Sequence, residues 1–135
     1  MASPEALFFL RLWTAAHKGE RLVARELELV GVQGRQLAML LLVGELGPAT
    51  TTALAAALGV PFMTASDALQ RLVDDGDVAQ SPNPADRRSH VYALTAKGEA
   101  RLRASEEPLR RAAAAIDGPV ADTAALDAAL SCALE

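Results

Sequence analysis

Residues 37–102 read LAMLLLVGELGPATTTALAAALGVPFMTASDALQRLVDDGDVAQSPNPADRRSHVYALTAKGEARL, and the order of signals in this stretch decides the fold. From about Gly34 to Leu46 the chain is apolar nearly all round, which predicts a core helix stopped by Gly47-Pro48. Thr50, Thr51 and Thr52 then offer cap oxygens to a short helix, Ala53 to Leu58, closed by Gly59. Pro61 opens another helix, PFMTASDALQRLVDDG, with Ala65, Leu69, Leu72 and Val73 on one side and Gly76 as its stop. Beyond Gly76 the period changes. Val78 to Ser81 lead into Pro82-Asn83-Pro84-Ala85-Asp86, and Ser89 to Leu94 follow with β-branched and aromatic residues, so two short strands around a turn are expected.

The flanks read as helices. Ser3 before Pro4 is a helix start, and Leu7, Phe8, Leu10, Leu12, Trp13, Leu22, Val23 and Leu27 recur at spacings of three and four until Gly31. A helix this long and apolar cannot bury its stripe within so small a domain, and packing against a partner chain is the simple remedy. Thr95 caps a last long helix, AKGEARLRASEEPLRRAAAAI, which Pro108 is expected to kink or split. Asp117-Gly118-Pro119 breaks it, and a final helix of roughly a dozen residues closes the chain. The fold class is therefore mainly α with a small β-hairpin wing. One domain is expected over 1–135, a winged helix-turn-helix at about 34–94 between dimerisation helices at about 4–29 and 95–133.

Composition bounds the function. The chain has 135 residues, and 13 basic against 17 acidic side chains leave −4. An apolar share of 51% with 22% charged residues suits a folded domain, and alanine at roughly one residue in five leans helical. One cysteine excludes an intramolecular disulfide, and no apolar run approaches the roughly 20 residues of a membrane span. The start MASPEALFFLRLW has no basic region ahead of its apolar patch, so no secretory signal and a cytoplasmic location are expected. His17, His90 and Cys132 match no zinc spacing, and there is no GxSxG elbow, P-loop or dinucleotide turn. No enzyme, metal or cofactor is expected. Asp74-Asp75 with Asp77 reads as a solvated helix end and loop, and Cys132 as a small core residue.

In a winged helix-turn-helix the second helix of the pair fits a major groove and the hairpin tip reaches the neighbouring minor groove or backbone. The tip here holds Arg87 and Arg88 on a sparsely charged loop, as a narrow electronegative groove or flanking phosphates require. The stretch resembles the winged-helix core of the MarR family of transcriptional regulators. The landmarks are GPATTTALAAALGV, the Thr64-Ala65-Ser66 of the recognition helix, RLVDDGDV entering the wing, NPADRRSHVYALT and the closing Thr95-Ala96-Lys97-Gly98. The resemblance implies a homodimer on a pseudo-palindromic operator, usually a repressor, often released by a small aromatic or anionic effector. It implies a recognition helix from Pro61 to about Asp75 and a wing from Val78 to Leu94, with Asp86 buttressing one of Arg87 and Arg88 while the other enters the minor groove.

Three positions depart from the family pattern: Asp67 and Gln80 stand where basic residues are common, and Asp77 where an apolar residue is usual. Between Thr50 and Arg101 there are five basic residues and six acidic ones, so weak, salt-sensitive non-specific binding is expected, with selectivity resting on base contacts. With Ala65, Leu69 and Leu72 inward, Phe62, Met63, Ser66, Asp67 and Gln70 face out. Gln70 suits an adenine edge, Asp67 a cytosine amine, and Phe62 or Met63 a thymine methyl. The expected DNA-binding set is completed by Thr64, Arg71, Arg87, Arg88 and His90. Simpler roles stand beside these: Asp67 as a helix-dipole charge, Phe62 and Met63 tucked onto the preceding helix, and the arginines as a solvated turn. Trp13 and His17 lie where relatives build an effector pocket, although Trp13 with Phe8 and Phe9 also suits dimer packing. The competing function is a winged-helix interaction or dimerisation module that has lost operator binding.

Overall fold

A computed structural model describes residues 1–116 and 123–134, and in it the chain forms two units. The first, Val32–Ser105, begins with α2 (Gly34–Leu46) and the two-residue strand β1 (Ala49–Thr50). It continues through α3 (Thr51–Leu58), α4 (Phe62–Asp74), β2 (Val78–Asn83) and β3 (Asp86–Leu94) into the start of α5 (Ala96–Ile116). Each helix begins and ends where local chemistry demands. Thr50 Oγ1 accepts from Ala53 N at 3.2 Å, and Gly59 ends α3 at φ +71, a left-handed conformation open to glycine without a Cβ penalty. α3 and α4 then differ in direction by 112°, within the range of a helix-turn-helix.

Packing follows the periodicity. Met39, Leu40 and Val43 of α2, Leu54 and Ala55 of α3, and Ala65, Ala68, Leu69 and Leu72 of α4 form one buried cluster, closed by Ala49 and Val78. Val73, expected on the buried side of α4, is only half-buried at its edge. The sheet has the order β1-β3-β2, all antiparallel, with Ala49 opposite Tyr92 and Gln80 opposite Tyr92 on the other side. β1 is absent from the sequence reading, because two residues carry no periodicity. The hairpin is also longer than expected. Pro82 and Asn83 belong to β2, Asp86, Arg87 and Arg88 belong to β3, and the turn is Pro84-Ala85. β2 is an edge strand, where a missing N–H costs no ladder bond, so Pro82 does not end it.

The closing Thr95-Ala96-Lys97-Gly98 has a physical role at every polar position. Thr95 Oγ1 donates to Gly76 O at 2.6 Å and accepts from Gly98 N at 3.1 Å, capping α5 while holding the entry to the wing. Lys97 Nζ donates to Asp75 O. A Cβ on Gly98 would stand 2.1 Å from Asp77 O, so only glycine lets the first turn of α5 lie against that loop.

The same junction overturns the reading of Asp77 as solvated. Its side chain is fully buried, and Arg101 Nη1 of α5 stands 2.8 Å from its Oδ2. The approach is close but not aligned for a hydrogen bond, and Oδ1 has no partner among the described residues, so the pair is held by charge. Asp77 N donates to Leu72 O and its carbonyl accepts from Thr95 N, which locks the backbone and leaves the side chain no route to water.

The second unit is Met1–Gly31 with Glu106–Glu135. α1 (Pro4–Leu27) starts at Ser3, whose Oγ accepts from Ala6 N at 3.2 Å, and runs into a 3-10 turn, Glu28–Val30. Its own backbone N–H and the Ser3 hydroxyl hold the Glu5 carboxyl below the usual carboxylate range. Leu7, Phe8, Phe9, Leu10, Leu12 and Trp13 are exposed, Phe8 and Trp13 at 66%. α5 runs unbroken through Pro108, whose ring is buried, so the proline does not split it. Arg111 Nε meets Glu26 Oε2 at 2.9 Å within this unit. α6 spans Thr123–Leu134, and the expected break at Asp117-Gly118-Pro119 lies outside the described residues. Cys132 is exposed, contrary to its reading as a core residue, because the described stretch around it, residues 127–132, is exposed throughout. No single described helix is long and apolar enough to cross a membrane.

Candidate nucleic-acid interface

α4 is strongly two-faced, and its buried stripe fixes what the other side presents. With Ala65, Ala68, Leu69 and Leu72 sealed in the core, Phe62, Met63, Asp67, Gln70 and Arg71 are exposed and Thr64 and Ser66 half-exposed. Phe62 and Met63, at 53% and 66% exposure, are not tucked under the preceding helix. Gln70 Nε2 donates to Asp74 Oδ1 at 2.9 Å, an i,i+4 bond that holds the amide along the helix surface. Asp67 and Arg71 make no ion pair among the described residues.

The wing is braced from inside. Asn83 Oδ1 accepts from Ala85 N at 3.1 Å, closing the turn, while Asn83 Nδ2 donates to Ser89 Oγ at 2.9 Å. Ser89 Oγ donates in turn to Asp86 O at 3.2 Å. Asp86 Oδ1 accepts from the Arg88 backbone N–H at 3.0 Å, and no ion pair joins it to either guanidinium. Asp86 thus supports the backbone that carries Arg88 rather than its side chain. Arg87, Arg88 and Ser89 fall in the register shift between the Asn83–Asp86 and Pro82–His90 pairs, so simple alternation of faces does not hold there. Arg88, Ser89, His90 and Tyr92 turn to a common side that Arg87 does not share.

The face of Arg88 closes a cavity of about 240 Å³ that the sequence did not announce. Thr50, Thr51 and Thr52 at the start of α3 form one wall, Phe62 and Ser66 of α4 a second, and Arg88, Ser89, His90 and Tyr92 of β3 the third. Four of the ten expected DNA-binding residues, Phe62, Ser66, Arg88 and His90, therefore meet here, whereas Met63, Thr64, Asp67, Gln70, Arg71 and Arg87 lie outside it. The threonine triplet was legible only as a cap. Tyr92 joins through its pairing with β1, which sequence reasoning missed. Gln80 is exposed on β2. Trp13 and His17 lie one turn apart on α1, both exposed, and neither lines this cavity. Among the described residues no three His, Cys, Asp or Glu side chains are grouped to hold a metal.

The MarR family model matches residues 34–90, the segment from α2 to the wing. Over that segment the chain is similar to the MarR family. Solved structures of similar fold include a mutant of MarR from E. coli complexed with operator DNA, 23% identical over 92% of this chain and 91% of that one, with a TM-score of 0.80. A MarR-family transcriptional regulator from Rhodococcus sp. RHA1 reaches a TM-score of 0.84 at 17% identity, over 97% of this chain and 93% of its own. Bordetella bronchiseptica BpsR, described through regulation of its DNA binding by 6-hydroxynicotinic acid, gives 0.83 at 18% identity, with 96% and 99% covered. No curated protein matches significantly. The solved structures show the fold, a winged helix, and the family matched over that segment is one of transcriptional regulators.

Proposed function

We propose that this protein binds operator DNA sequence-specifically as a homodimeric repressor and is released by a small effector. The observation that carries the reading is the shared exposure of α4 and the Arg88 face of the wing, two surfaces meeting at a cavity free of carboxylates. α4 enters the major groove with Gln70 and Asp67 reading base edges and Phe62 or Met63 against thymine methyls, while Thr64, Ser66 and Arg71 border the backbone. Arg87 and Arg88, of which only Arg88 lines the cavity, divide between minor groove and phosphate. The exposed apolar residues of α1 supply the dimer contact, with Phe9 and Trp13 rings 6.2 Å apart within one chain. The effector is a small aromatic or anionic molecule, with Trp13 and His17 as candidate contacts.

Charge favours a second reading, an interaction or dimerisation module without operator binding, because the unit carrying α4 has no basic surplus. A titration of labelled duplex from the region upstream of its own reading frame, at two salt concentrations, separates the two. The regulator binds selectively, and Arg87→Ala/Arg88→Ala weakens it and lowers the salt slope by about 1 for each phosphate that goes unneutralised. No binding to any fragment at low salt supports the module. A monodisperse monomer at micromolar concentration refutes the dimer.

A further inference from the structure

The unit that must face DNA is poor in fixed positive charge, and one of the few groups able to add any on demand is His90. It is exposed on β3, two residues from Arg88 on the same side, and both line the cavity against α3 and α4. The other polar side chains of that cavity are hydroxyls from Thr50, Thr51, Thr52, Ser66, Ser89 and Tyr92. All but Ser89, whose hydroxyl donates to Asp86 O, can donate a hydrogen bond to an anion, and no lining residue is a carboxylate. Such a wall suits a compact anion with several acceptor oxygens, and the start of α3 adds the positive end of a helix.

Resting on the DNA-binding reading above, we propose that the cavity seats one phosphodiester of the operator backbone and that His90 takes up a proton from solvent as the phosphate enters. An imidazole titrates between pH 5 and 8, and a phosphate oxygen within contact distance favours its charged form. The only charged side chain among the described residues lining the cavity is the Arg88 guanidinium. The cross-strand neighbour on β2 is Pro82, α4 contributes Phe62 and Ser66, and α3 contributes the threonines, none of them titrating in this range. Asp67 and Asp86 are the carboxylates nearest in sequence to the lining residues Ser66 and Arg88. Asp67 lies outside the cavity on α4, and Asp86 Oδ1 is engaged by Arg88 N at the tip. Binding then raises the histidine pKa, so affinity is highest at low pH and falls as pH rises through the imidazole range. A rise of one pKa unit on binding corresponds to about a tenfold change in affinity.

Operator affinity is measured by fluorescence anisotropy from pH 5.5 to 8.0 at fixed ionic strength, on a duplex enriched from a random-sequence library. With one His90 in each protomer, the wild-type dimer is expected to lose up to about a hundredfold in affinity over that range, about tenfold for each cavity at one pKa unit of coupling, and His90→Gln to lose the pH dependence. A flat wild-type profile, or a wild-type slope retained in His90→Gln, overturns the proposal while leaving DNA binding intact. Failure to enrich any duplex overturns the DNA-binding reading and this proposal with it.

Discussion

Replacing Arg101 by leucine should strand the carboxylate of Asp77 inside the winged-helix unit. The pair sits where the loop after α4, the root of the wing and the first turns of α5 converge, with Asp77 fully buried and the Arg101 side chain 26% exposed. At 2.8 Å and an effective dielectric of about 20 the attraction is roughly 6 kcal/mol, most of which offsets the desolvation of the two ions. The pair is thus worth little against an apolar pair of similar volume, yet losing one partner is costly. Breaking a buried pair costs about 3 to 5 kcal/mol, and the partial exposure of Arg101 places this one near 3. Asp77→Leu alone costs about 1 kcal/mol, since Arg101 can turn to water. Asp77→Leu/Arg101→Leu puts apolar side chains where relatives carry one and should fall within about 1 kcal/mol of wild type. Urea unfolding followed by far-ultraviolet circular dichroism gives the double-mutant cycle, with a coupling of about 3 kcal/mol expected. An Arg101→Leu loss below about 1 kcal/mol, or a double variant as unstable as the singles combined, refutes the charge-paired account.

Gly98→Ala should destabilise the same unit by about 2 kcal/mol in urea unfolding: its Cβ would stand 2.1 Å from backbone Asp77 O, and overpacking outweighs the gain in helix propensity. A neutral or stabilising effect would show that α5 shifts freely there. Pro108→Ala should stabilise the chain by roughly 1 to 2 kcal/mol, restoring an amide to pair with Ala104 O, partly offset by the freer unfolded chain. A fall in thermal midpoint would mean that the buried proline ring contributes more than the missing bond costs. Thr50→Ala should cost about 1 kcal/mol by removing the cap on α3, read by the same denaturation; an unchanged midpoint would refute the cap.

The helices were legible because their boundaries are punctuated by residues with one conformational meaning. Gly31, Gly59 and Gly76 all adopt positive φ, and Ser3 and Thr50 cap where expected. The outward set on α4 followed from its 3.6-residue period, since burying Ala65, Leu69 and Leu72 dictates what remains outside. The wing was legible as a hairpin but not in register, because proline on an edge strand breaks no ladder bond and so punctuates nothing. Pro108 misled in the same way, its missing bond being a cost that a long, packed helix can absorb.

Sequence by itself determined the order of elements, the two faces of α4 and the shortage of positive charge, because all three depend on neighbours along the chain. Only the tertiary structure decided that Asp77 is buried against Arg101, that Arg88 but not Arg87 lines the cavity, and that Thr50–Thr52, Ser66 and His90 share it. These depend on residues brought together from distant elements. The same carboxylate is solvated or sealed according to what α5 lays over it, and local sequence does not specify that covering.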